Sequence, residues 1–356
     1  MSATALTGKR PRRLVLRRGR VALRLRVRPL VVGVVVALAG LAIGVASLAS
    51  GDFPIPLADV LRALVGRGDP ATNIIVLELR LPRVLVGLLV GAALGASGAV
   101  FQSLTRNPLG SPDFVGLTTG AATGALLVIL LLGGGGLAVS AGAIVGCLVT
   151  SALVYLLAFR RGVQPFRLVL MGIGVSALLE ALNSFLILRA RLADAIAAQV
   201  WQIGSVSGRT LTEVTIVGLA LAVALPLLLV FGRHLALLEL GDETAILHGV
   251  RVERSRAVLA LSAVLLAAAA TAAAGPVGFV ALAAPQLATR LTRAPGPNLL
   301  PAAAMGALLV VASDWLAQRV LPDLDLPVGV VTGALGGAYL TWLLAREWRS
   351  RGRLLG

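Results

Sequence analysis

The chain has 356 residues, 58% of them hydrophobic and 13% charged, with a mean hydropathy of +0.94. Soluble domains carry about 25% charged residues and disordered chains are polar and highly charged, so these values exclude both and leave a polytopic membrane protein. The formal net charge of +16 forms no basic patch interleaved with aromatics, which argues against nucleic acid as a partner.

At roughly 35 residues per span and loop, the length allows about ten crossings. Residues 1–28 hold 10 basic side chains and read as a basic cytoplasmic tail that can touch anionic lipid. The uncharged run 29–51 is too long for a signal-peptide core and lacks an A-x-A cleavage site, so it reads as an uncleaved helix. The runs 84–105 and 114–159 follow, the second broken by Gly133-Gly134-Gly135-Gly136, a natural turn. Next come 168–188, with Glu180 inside, and 214–232. The run 257–289 is interrupted by Gly275-Pro276 and reads as a helix, a break and a short second helix; 294–313 and 326–345 complete the set. Backbone in lipid must satisfy its own hydrogen bonds, so these runs are helices. The fold class expected is all-α, a polytopic inner-membrane bundle of about ten transmembrane helices in the bilayer.

Basic residues set the orientation. With the first span running inside to outside, inner segments hold 24 Lys and Arg and outer segments hold 8. Both termini are therefore expected in the cytoplasm. The domain reading is a tail at 1–28, a permease domain at 29–346 with an inner loop at 236–254, and a short cytoplasmic tail at 347–356.

The chain contains no G-x-x-x-x-G-K-[ST], and its one lysine, Lys9, lies in the tail, so it binds no ATP through a P-loop. Cys147, His234 and His248 form no metal-ligand cluster, and no Ser/His/Asp arrangement is present. No cofactor and no enzymatic site are expected. A bundle of this kind moves something, driven by an ion gradient or by a partner ATPase.

Three groups of residues stand out. Gly91, Gly95 and Gly98, with Ser97 and neighbouring alanines, form a small-residue face of the kind that lets membrane helices pack closely. Pro82 opens that helix at its first turn. At its far end Arg106 can snorkel to headgroups, Asn107 and Pro108 stop the helix, and Gln102 lies one turn back on the Arg106 side. The second group is the inner loop, where Gly241 and Gly249 bracket a short amphipathic stretch carrying Asp242, Glu243, Ala245 and Leu247. Its acidic residues sit where a helix dipole favours them. The third group is polar residues within spans, which are functional suspects by default. Glu180 and Asn183 lie one turn apart, and Asp314 closes the ninth span.

Arg80-Leu81-Pro82-Arg83, then G-A-x-L-x-x-S-G, then Q-x-x-x-R-N-P-L, then P-x-x-x-G-x-x-x-G-A, over residues 80–121, resembles the FecCD family. These are permease subunits of ATP-binding-cassette importers for iron–siderophore complexes, haem and cobalamin. Trp201-Gln202-Ile203-Gly204-Ser205, read physically as an interfacial aromatic anchor, resembles the family's W-x-x-G-S. The 240–250 loop and the stretch from Gly275 through Arg290 are also similar to family segments. Many members have His where this chain has Gln286, and the Asp-His-Arg that often follows is missing after Arg293. The variant P-Q-L-A-x-R-L-T is similar to the branch for catecholate siderophores such as enterobactin.

The resemblance implies the partners and roles. Gly241, Asp242, Glu243, Ala245, Leu247 and Gly249 would dock into ABC ATPase subunits. Arg62 and Arg67, with Arg209 and Arg319, would meet carboxylates of an extracytoplasmic siderophore-binding protein. Gly91, Gly95, Ser97, Gly98, Gln102, Arg106, Asn107, Pro108, Glu180 and Asn183 would serve the pathway or helix packing. The chain would pair with a second permease subunit, identical or paralogous. Cobalamin and haem remain alternative substrates, and an ion-coupled secondary transporter using Glu180 is a different class of reading.

Overall fold

A computed structural model describes residues 13–18, 21–51, 53–113, 116–159, 165–320 and 326–352. The N-terminal region opens with a hairpin of β1 (Arg13–Arg18) and β2 (Val21–Arg26), antiparallel, with Arg13 opposite Arg26. Apart from this short hairpin the described elements are helices, in keeping with the all-α expectation. Leucine recurs at every second position of each segment (14 and 16, then 23 and 25), a period-two pattern that suits a strand. Residues 1–12 and 19–20 of the expected tail lie outside the described residues.

Among the described residues, the elements after the hairpin are helices joined by short loops. The long helices are α1 (Val27–Ala49), α4 (Leu81–Thr105), α6 (Leu137–Ala158), α7 (Pro165–Arg189), α9 (Leu211–Val230), α12 (Val252–Ala274), α14 (Leu299–Val320) and α15 (Val328–Gly352). Between them lie α2 (Leu57–Leu64), α3 (Pro70–Asn73), α5 (Leu117–Leu131), α8 (Leu192–Ile203), α10 (Gly232–Leu240), α11 (Asp242–Leu247) and α13 (Val280–Thr292). Among the described residues, 7 helices are long and apolar enough to cross a membrane, with α5 and residues 328–342 of α15 as shorter apolar helices. The glycine run separates α5 from α6, and 257–289 splits into α12, a break and α13, as the sequence pattern predicts. α15 continues to Gly352, through part of the 347–356 segment; residues 353–356 lie outside the described residues.

Pro82 sits at the first turn of α4, but the helix does not begin there. α3 and a π-helical segment, Ile74–Arg80, run directly into it. Proline has no N–H and its ring clashes with the carbonyl four residues back. A π turn widens the helix at that point, and Leu81 N–H accordingly bonds back to the Val76 carbonyl.

α4, α12 and α14 carry the most buried apolar spans, while α1, α7 and α9 leave most of theirs exposed. Small residues explain how the first three approach. A Cβ at Gly91 would collide with the Gly306 carbonyl of α14, one at Gly95 with the Ala302 carbonyl, and one at Gly98 with the Ala281 carbonyl of α13. Ser97 Oγ donates to the Ala263 carbonyl of α12 at 2.8 Å. α4 therefore touches three neighbours almost backbone to backbone, the form of packing available where lipid removes the hydrophobic drive between helices.

Candidate functional site

At one end of the bundle, α4 stops and the α10–α11 segment begins. Gly241 caps α11 with φ 126°, a backbone that side chains disfavour. The far cap is a Schellman motif: Gly249 (φ 78°) donates to the Ile246 carbonyl at 2.9 Å and Val250 donates to the Ala245 carbonyl at 3.0 Å. Ala245 is fully buried and holds the short helix to the bundle, whereas Ile246 is 61% and Leu247 85% exposed, and Glu243 also faces outward.

Asp242 faces the other way. Its carboxylate accepts two hydrogen bonds from Arg256 Nη2, at 2.9 and 2.8 Å, and one from Arg106 Nη2. Burial raises the Asp242 carboxyl, but the Arg256 hydrogen bond and the charges of Arg256 and Arg106 outweigh it and hold its pKa below 3.8. Arg106 also donates Nε–H to the Leu238 carbonyl at 2.9 Å. It sits at the C-cap of α4 in a left-handed conformation, φ 51°. Ser103 donates to Glu239 Oε1 at 2.7 Å.

Gln102 and Arg106, read from spacing as one face, serve different neighbours. Gln102 Nε2 donates to the Leu282 carbonyl of α13 at 3.0 Å. Gln286, the residue that departs from the family's histidine, donates Nε2–H to the Pro108 carbonyl at 2.7 Å and so pins the turn after α4. Asn107 accepts the Leu109 N–H at 2.9 Å and shapes that turn.

Opposite charges meet at the other end of α4. Arg83 grips Asp314 of α14 with Nε and Nη2, at 2.9 to 3.2 Å, and reaches Ser207 Oγ at 3.4 Å. Arg80 donates to the Leu48 carbonyl in the last turn of α1 and to the Phe53 carbonyl just beyond it. Of the predicted docking arginines, Arg62 on α2 is exposed and pairs with Asp59 at 2.7 Å, and Arg67 is exposed just after α2. Arg319 stacks 3.8 Å over Trp315. Arg209 is partly buried, with Nε–H on the Ser205 carbonyl at 3.1 Å.

Trp201 lies 9% exposed in α8, packed among protein side chains, whereas an aromatic anchor presents its ring to headgroups. Its segment braces the break between α12 and α13. Ser205 N–H bonds the Ala274 carbonyl at 2.7 Å, and Gly204 lies so close to Pro276 that any Cβ would strike its carbonyl. Beside this brace is a polar cavity of about 370 Å³ lined by Glu180, Asn183, Thr118, Gln202 and Pro276 among others. Asn183 is buried with Oδ1 unpartnered, and Gln202 Nε2 is likewise unpartnered.

The sequence profile of the FecCD transport family matches residues 30–346. The chain belongs to that family. It is 47% identical over 308 residues to the ferric enterobactin transport system permease protein FepG of Escherichia coli, covering 86% of this chain and 93% of that protein. It is 39% identical to the achromobactin transport system permease protein CbrC of Dickeya dadantii, covering 86% and 89%, and 34% identical to the iron(3+)-hydroxamate import permease FhuG of Bacillus subtilis, covering 90% and 98%. Among solved structures, a metal-chelate type ABC transporter in an inward-facing conformation superposes with a TM-score of 0.77 at 26% identity, covering 89% of this chain and 99% of that one.

In this FecCD chain the motif residues divide by contact. Glu243, Ile246 and Leu247 present outward; Asp242, Ala245, Gln102 and Arg106 bind inward; Gly91, Gly95, Ser97 and Gly98 pack helices; Glu180 and Asn183 meet at a cavity. Sequence reasoning missed Arg83, Arg256 and Gln286 as cross-braces. Arg83 carried a signal, since it stands in R-L-P-R beside an apolar run. Arg256 carried none, because its partner Asp242 is on another helix.

Proposed function

We propose that this chain is the permease subunit of an ATP-binding-cassette importer that carries ferric siderophores across the cytoplasmic membrane. It crosses the bilayer about ten times with both termini inside. It pairs with a second permease subunit, takes its energy from separate ATPase subunits and receives cargo from a binding protein outside. Family membership supports this reading, and so do the relatives, which are named for ferric enterobactin, achromobactin and iron–hydroxamate transport.

The observation that carries the mechanism is α11. A helix of 6 residues, closed by glycine at both ends, exposes Leu247 almost completely while its other side is bonded into the bundle. An apolar knob on a polar end of a membrane protein suits a groove on a partner. In this reading residues 236–254 form the coupling loop and α11 enters the ATPase. On the opposite side, exposed Arg62 and Arg67 meet carboxylates of the binding protein, where charge steers docking more than it adds affinity.

The test is uptake into proteoliposomes holding the permease, its ATPase and its binding protein. Ferric catecholate should enter only with ATP, and vanadate should stop it. Uptake driven by an ion gradient without the ATPase, or import of cobalamin in preference to every ferric siderophore, refutes the reading. Arg62→Glu with Arg67→Glu should weaken binding-protein affinity at low salt, and an unchanged Kd removes both from the docking surface.

A further inference from the structure

Three tertiary links converge on one carboxylate at the end of the bundle. Asp242 is the first residue of α11. It is held by Arg256, one turn into α12, through both oxygens. It is also held by Arg106, which caps α4. Arg256 is the better buried of the two arginines, with its side chain 15% exposed, and it also bonds Glu253 at 3.1 Å. Arg106 adds a second grip 132 residues away in sequence, on the Leu238 carbonyl just before α11.

The helices on either side of this joint differ from most of the bundle. α4 and α12 carry its two most buried apolar spans. They are joined to each other by Ser97 on the Ala263 carbonyl, and α4 is joined to α14 and α13 by glycine contacts that leave no room for a Cβ. A closely packed interior transmits displacement because it has little free volume to absorb it. An arginine fork fixes direction as well as distance, which a single point charge does not. A push on the exposed side of α11 therefore has two stiff routes inward, both through Asp242.

We propose that Arg106 is a transmission residue: with Arg256 it makes Asp242 the joint through which movement of α11 drives α4 and α12 together. This rests on the ABC-importer reading and moves Arg106 out of the pathway and into the coupling machinery. Arg106 is a positioning residue in this scheme. It acts through Asp242 and the Leu238 carbonyl, and its left-handed backbone, φ 51°, lets the guanidinium reach from the end of α4 to α11.

The test uses the complete importer in proteoliposomes and reads cargo imported per ATP hydrolysed, with ATPase retention on the purified complex as a second readout. Arg106→Gln should keep the ATPase bound and hydrolysing while the import ratio falls about tenfold, within the range of coupling factors between linked sites. Arg106→Lys should restore part of the ratio. Arg28→Gln, which removes a hydrogen bond to the Leu291 carbonyl at 3.3 Å outside the cluster, should leave it unchanged. If Arg106→Gln does not fold, Asp242→Asn tests the same joint with shape preserved and should give the same loss.

An unchanged ratio in Arg106→Gln or Asp242→Asn overturns the proposal. Loss of the ATPase from Arg106→Gln also overturns it, because the residue then only supports the docking helix. A wild-type importer that moves nothing with ATP would instead be a failure of the functional reading.

Discussion

Asp314→Ala is the sharpest test of how α4 is held. The carboxylate is 6% exposed and its partner Arg83 is 18% exposed. Asp314 accepts three N–H contacts from Arg83 and one from Gln318 Nε2 at 2.8 Å. Removing one partner of a buried pair costs about 3–5 kcal/mol, because the remaining charge loses that interaction while it stays largely desolvated. Arg83 keeps some access to water, which places the expected loss near 3 kcal/mol.

An unfolding entropy of about 2.1 cal/mol/K per residue gives about 0.75 kcal/mol/K for this length, so Tm should fall by about 4 °C. That is a lower bound, since a membrane bundle keeps most of its helices on denaturation and gains less entropy. The assay is thermal unfolding of purified permease in detergent. Arg83→Leu with Asp314→Leu should recover most of the loss, because an apolar pair of similar volume is often neutral in place of a buried ion pair. A single variant within about 1 °C of wild type, or a double variant no better than the single, refutes a buried pair as the brace.

Three further outcomes follow from other positions. Gly98→Val should lower Tm and expression sharply, since its Cβ would meet the Ala281 backbone, Cα included at 2.9 Å, and overpacking costs about 1–3 kcal/mol or more; Gly218→Ala, with nothing within 4 Å, should be neutral or stabilising in the same assay. Gly249→Val forces a β-branched residue into φ 78°, at about 1–2 kcal/mol of local strain; import per ATP should drop while expression holds, and normal import removes this cap from the coupling role. The Asp242 carboxyl is held below its ordinary 3.8, so its contribution is present above that value and lost as pH falls through the lower folded one. The Tm difference between wild type and Asp242→Asn should be flat from about pH 8 to pH 5 and shrink below about pH 4. Convergence of the two by pH 6 would contradict the double arginine grip.

Much of the bundle was legible in one dimension because a span is a local property. Twenty apolar residues without charge must form a helix in lipid, whatever surrounds them. The breaks at Gly133-Gly134-Gly135-Gly136 and Gly275-Pro276 were readable for the same reason. The α11 caps were readable as well, since two glycines around a short amphipathic stretch carry their own backbone signal. The π segment before Pro82 was not, because nothing in Ile74–Arg80 announces a widened turn; it arises only where an upstream helix runs into the proline.

Residue type and spacing by themselves therefore determined the membrane class, the order of helices, the small-residue face of α4 and the presence of a glycine-bracketed loop. Tertiary structure alone decided what the charges do. Arg83 finds Asp314 across 231 residues, Arg106 finds Asp242 across 136, and Trp201 goes inside to brace the break between α12 and α13. A side chain's neighbour along the chain is set by covalent geometry, but its partner across the bundle is set by which helices pack, and no periodicity records that choice.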